Sequence, residues 1–182
     1  GLGRRISGTG ELQSVVRTMK AWAATSIGQY EKSVRALSDY YRTVELGLGA
    51  CFRESKQEAV ERKAPTHAGA ASAIVFGSDQ GLVGQFNDVV ADYAIKTLAA
   101  LPGKAKVWAV GGRVHARLAD AGLPLAGLFA LPNSVRAITP LVGQIQIETE
   151  ANLAKSGNTS LWVFHNRPLS GSLYEPVGQR LL

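Results

Sequence analysis

Cys51 is the only cysteine in the 182 residues, which excludes an internal disulfide and any metal site built from several thiolates. The three histidines, at positions 67, 115 and 165, are too scattered to have a ligand spacing. Glu148 and Glu150, two residues apart on a helical pattern, point away from each other rather than converge. No metal and no cofactor is expected. Aromatic residues make up 7% of the chain, and Trp22, Trp108 and Trp162 fall in three different segments, so no platform for stacking bases is formed and nucleic acid is not an expected partner. No apolar run approaches the roughly 20 residues that span a bilayer, and the N-terminus has no compact apolar signal core, so contact with a membrane is expected to be peripheral. What the chain does have is 46% hydrophobic and 19% charged residues, a globular composition that excludes disorder and collagen-like repeats.

The net charge of +6 suggests an acidic partner. Residues 1–63 hold eleven Lys/Arg against seven Asp/Glu, so most of the excess lies there. It is interleaved with acids, as in Glu31-Lys32 and Glu61-Arg62-Lys63, which fits a solvated helix face better than a nucleic-acid block.

Proline is absent between Arg17 and Ala64. Over that stretch Val16, Met19, Ala23, Ile27, Tyr30, Val34, Leu37, Tyr41, Val44, Leu48 and Cys51 follow steps of three and four. Two strict seven-residue series, Ile27-Val34-Tyr41-Leu48 and Tyr30-Leu37-Val44-Cys51, make this a coiled-coil seam. The pattern predicts a helix from about Thr9 to about Val60, with a weak point at Gly47 and Gly49, each costing about 1 kcal/mol relative to alanine. No later segment is long enough to cover such a stripe. Its partner is therefore expected on another polypeptide or on a segment outside these residues, and the isolated chain is expected to self-associate.

After a linker at 64–69 the pattern becomes short apolar runs alternating with helical segments. Strands are predicted at Ala71–Phe76, Ala105–Val110, Leu125–Ala130 and Ser160–His165, and helices at Asn87–Ala100, Arg113–Ala121 and Ala137–Ser156. A last strand at Tyr174–Val177 is forced to an edge by Pro176. Alternating strands and helices predict parallel βαβ units and hence a three-layer α/β/α, Rossmann-like domain with a mostly parallel five-stranded sheet over residues 70–182. Residues 1–63 form the long coiled-coil helix that precedes it.

The least ordinary segment is Gly77-Ser78-Asp79-Gln80-Gly81-Leu82-Val83-Gly84-Gln85-Phe86-Asn87, at the first strand-to-helix junction, where open α/β sheets bind ligands. Its glycines match neither the dinucleotide fingerprint nor a P-loop, no lysine follows, and Asp79 would repel a phosphate. Ser78 directly follows Gly77, which is the wrong spacing for a nucleophile elbow. Gly81 is expected to take positive φ. Gly111-Gly112-Arg113, after the second strand, reads as a tight turn. His115 and His165 read as surface groups, so no catalytic residue is expected.

Two segments resemble the gamma subunit of F-type rotary ATP synthases. Val16-Arg17-Thr18-Met19-Lys20-Ala21-Trp22-Ala23-Ala24 is similar to the family's Thr-Lys-Ala-Met-Lys-Met-Val-Ala-Ala signature. Ser78 to Asn87 is similar to its Ser-Asp-Arg-Gly-Leu-Cys-Gly-Gly-Phe-Asn loop, with Gln80, Val83 and Gln85 standing where arginine, cysteine and glycine are usual. Those departures resemble a divergent, alternative bacterial branch. The resemblance implies a non-catalytic central-stalk rotor, peripheral to the cytoplasmic face of the bacterial inner membrane, which couples rotation of the membrane c-ring to ATP synthesis or hydrolysis in the alpha/beta ring. It implies a sheet in the order 3-2-1-4-5 with the last strand antiparallel, and a C-terminal helix expected soon after Leu182, where this sequence ends. By the same resemblance Arg17, Met19, Lys20 and Trp22 contact the alpha and beta subunits. Ser78, Asp79, Gly81, Leu82, Gly84, Phe86 and Asn87 form a foot loop that faces the epsilon subunit and the c-ring. Two rivals weigh against it. A flavodoxin-like nucleotide-binding protein or enzyme using the Gly77–Asn87 loop leaves the seam unexplained, and a nucleic-acid-binding coiled-coil dimer leaves the α/β domain unexplained.

Overall fold

The computed structural model describes residues 2–54, 71–156, 160–170 and 172–181. The chain forms two compact units, Gly1–Val60 and Glu61–Leu182. The expected linker at 64–69 and the expected helical residues 55–63 lie outside the described residues.

The first unit is one helix, α1 (Leu2–Glu54), of 53 residues, or about 80 Å at 1.5 Å per residue. It starts seven residues before the expected Thr9, through Gly3 and Gly8, because an established helix propagates through a glycine at a cost of about 1 kcal/mol. For the same reason Gly47 and Gly49 do not interrupt it. Thr18, Ser33 and Thr43 return their hydroxyls to the carbonyls of Ser14, Gln29 and Asp39, four residues back, so these polar groups bond locally. The seam is exposed within the chain: Val34 is 65% and Leu37 67% accessible. At 100° per residue the large apolar side chains other than Leu46, which lies on the opposite face, occupy an arc about 140° wide, broader than a strict two-stranded seam.

The second unit is a five-stranded sheet in the order β3-β2-β1-β4-β5. Its elements are β1 (Ala71–Phe76), α2 (Phe86–Ala99), β2 (Lys106–Val110), α3 (Gly112–Asp120), β3 (Leu125–Phe129), a 3-10 turn at Val135–Ala137, α4 (Ile138–Ser156), β4 (Ser160–Pro168) and β5 (Tyr174–Arg180). β1 runs parallel to β2 and β4, β2 parallel to β3, and β5 antiparallel to β4. β1 is central and covered on both faces, which is why Ala71-Ser72-Ala73-Ile74-Val75-Phe76 reads as a continuous run rather than an alternation. Its residues divide by parity. Ala71, Ala73 and Val75 join Val107, Ala109 and Phe164 under α2 and α3, against Val90, Ala94, Val114 and Leu118. Ile74 joins Trp108, Val110, Phe129 and Leu161 under α4, against Ile145. The result is the expected three-layer α/β/α arrangement.

β4 continues to Pro168 and β5 to Arg180, each three residues beyond the predicted end. Hydropathy stops at His165, but the ladder does not. Pairing of His165 with Val177 and of Asn166 with Pro176, together with the Arg167–Glu175 ion pair, carries a polar edge hairpin. β5 is an edge strand, as Pro176 requires. Gly178 sits against Phe164: a Cβ there would lie 2.7 Å from Cε1 of the ring.

Candidate functional site

The Gly77–Asn87 segment leaves the carboxyl end of β1, the central strand between β2 and β4, at the edge of an open α/β sheet where ligands usually bind. Its first half is clamped. The Gly77 N–H donates to Val110 O at 2.9 Å, extending the ladder with β2. A Cβ on Gly77 would lie 2.4 Å from Val114 Cβ and 2.6 Å from Asn87 Oδ1, so only glycine lets α2 and α3 close over this point.

Asn87, buried in the first turn of α2, holds the next residue by both ends. Its Oδ1 accepts the Ser78 N–H at 2.8 Å, and its Nδ2 donates to Ser78 Oγ at 2.9 Å. Ser78 Oγ donates in turn to Gln80 O at 3.1 Å. That hydroxyl is therefore engaged in holding the turn, with no histidine in its bonds to act as a base.

The Asp79 carboxylate lies at the start of α3, where one oxygen accepts the Gly112 N–H at 2.5 Å and the other accepts the Leu131 N–H at 3.3 Å. Anions bind at such a helix start, and here the position is taken by the chain's own carboxylate. Gly111 makes the approach workable. Its φ is 111°, and a Cβ would meet Ser78 O at 2.9 Å, so the turn read in the sequence as merely tight is also a close crossing of two loops. Ser78 O accepts the Arg113 N–H at 3.0 Å across it.

The second half protrudes. Leu82 is 81% accessible. Gly84, at φ 57°, makes the left-handed turn. The expected positive φ at Gly81 is not found: that residue has ordinary backbone, and the atoms a Cβ there would meet first belong to the Arg113 guanidinium, 2.8 Å away at Nη2. The strain assigned to Gly81 from spacing belongs one turn later, because the chain reverses just before α2. Phe86 then closes the loop against the hairpin, its ring 5.2 Å from that of Tyr174 and edge-on, while its carbonyl accepts from Asn166 Nδ2 at 2.7 Å.

The fold thus brings the seven expected loop residues together and divides their work. Ser78, Asp79 and Asn87 bond inward, Gly84 turns the chain, Phe86 anchors it, and Gly81 and Leu82 face out. Arg17, Met19, Lys20 and Trp22 all lie exposed on α1, in the other unit. By helical bearing Met19 is in the middle of the apolar stripe and Trp22 on one flank with Tyr40. Lys20 lies just outside the other flank, and Arg17 is on the back. Asn166 and Arg113 escaped the sequence reading. Asn166 lies beyond the last apolar residue of its strand, and Arg113 reaches the loop only through the β2–α3 turn. Among the described residues no cluster of three or more His, Cys, Asp or Glu could hold a metal ion, and no helix is long and apolar enough to cross a membrane.

A family model described as ATP synthase matches residues 1–182. The fold is similar to a chain in the central stalk and c-ring structure of the Tetrahymena thermophila mitochondrial ATP synthase. There the TM-score is 0.53 and the identity 20%, over 66% of this chain and 53% of that one. Chains of the Euglena gracilis mitochondrial ATP synthase are also similar. One comes from the rotor structure in rotational state 1, at 10% identity and TM-score 0.47 over 90% of this chain and 62% of that one. The other comes from the OSCP/F1/c-ring structure in rotational state 3, at 10% identity and TM-score 0.49 over 87% and 57%. The chain therefore spans between about half and three-fifths of the length of these structures. No curated protein matches it.

Proposed function

The chain belongs to the ATP synthase gamma-subunit family, matched along residues 1–182, and on that premise we propose that it is the non-catalytic central-stalk rotor of a membrane-associated ATP synthase. The observation that carries this reading is α1 itself: a helix of 53 residues whose apolar stripe is exposed in the chain and whose polar face carries Lys20, Lys32, Arg17, Arg35 and Arg42 against Glu31 and Asp39, a net positive face. Such an element needs apolar cover on one side and suits acidic surroundings on the other. A shaft with two unlike faces presents a different surface to each catalytic site around it. Its rotation can then change their nucleotide affinities in turn, a coupling free energy between shaft position and binding.

In this reading residues 1–63 are the shaft, 64–69 the linker and 70–182 the foot domain. Arg17, Met19, Lys20 and Trp22 meet the alpha and beta subunits. The loop from Ser78 to Asn87 faces the epsilon subunit and the c-ring, with Leu82 as its contact and Ser78, Asp79, Gly84, Phe86 and Asn87 as its supports. The complex works at the cytoplasmic face of a bacterial inner membrane. No step of catalysis is assigned to this chain: the carboxylate of Asp79 at the start of α3 opposes a phosphate there.

The test is charge reversal on the shaft. Lys20→Glu in the full-length subunit is expected to leave co-purification with the alpha/beta ring, epsilon and the c-ring intact while lowering ATP-driven ion pumping severalfold. Loss of assembly with normal pumping in the residual complex would refute the assignment of Lys20 to coupling.

A further inference from the structure

We draw no further inference here: the strongest candidate, the apolar cavity of about 380 Å³ at the amino edge of the sheet between the ends of α2 and α3, lined by Ile95, Leu98, Ala105, Leu123 and Pro124 with Lys104 beside them, carries none, because nothing in the structure shows what occupies it.

Discussion

Three glycines of one loop differ in what they are for, and substitution should separate them. At Gly77 an alanine Cβ would fall 2.4 Å from Val114 Cβ, so Gly77→Ala is expected to destabilise the α/β unit by about 1 to 3 kcal/mol through overpacking. Gly84 has open space around it but φ of 57°, and Gly84→Ala should cost about 1 kcal/mol for the left-handed conformation alone. Gly81→Ala, with ordinary φ and only the end of a flexible arginine in its way, should lie within about 0.5 kcal/mol of the parent. Urea denaturation of the three variants orders them, and a Gly81 effect as large as that at Gly77 would contradict the geometry. Asn87→Ala removes both bonds to Ser78 and leaves a part-buried N–H without its acceptor, which is expected to cost about 1 to 3 kcal/mol.

At the scale of the element, α1 and β4 behave differently from what their composition suggests. The glycines of α1 do not end it, because propagation adds a hydrogen bond per residue and tolerates a residue of poor propensity. Its stripe remains uncovered within the chain, so the isolated polypeptide is expected to associate with increasing concentration. Val34→Asp with Leu37→Asp should abolish that association while leaving the thermal transition of the α/β unit unchanged. Sedimentation velocity over a concentration series is the check, and undiminished association of the double variant would place the sticky surface elsewhere. In β4 the polar run after His165 remains strand because β5 supplies cross-strand partners, a contribution invisible to hydropathy.

At the scale of the whole molecule, the carboxyl edge of the sheet is bridged by the protein's own side chains. Asp79 bridges α3 and the exit from β3, Asn87 ties α2 to β1, and Asn166 with Tyr174 draws in the hairpin. The isolated chain is therefore expected to show no saturable binding of Mg-ATP by calorimetry; micromolar binding that Asp79→Ala strengthens would favour the nucleotide-binding alternative. The core beneath that edge is the other whole-molecule test. Leu118 is fully buried under α3 with Val75, Val107 and Val114 as fellow members of its cluster, and Leu118→Ala should cost about 2 to 5 kcal/mol.

Periodicity determined the long helix and the change to alternating strands and helices after residue 70, and the missing N–H of Pro176 determined the edge position of its strand. These are local properties, written in which residues can share a face and which can donate to a ladder. The loop at the end of β1 was also legible as a place, since glycines at a strand-to-helix junction stand out. What each of its residues does was not. Asp79 bonds to residues 33 and 52 positions away, and Arg113 reaches Gly81 from the next βα unit, so their roles exist only once parallel pairing has set β1 beside β2. Left-handed backbone fell to Gly84 rather than Gly81 for the same reason. The sequence says that a glycine is needed nearby, but the direction in which α2 must leave the sheet is fixed by the packing of its buried face against Val75 and Phe164, and that packing is tertiary.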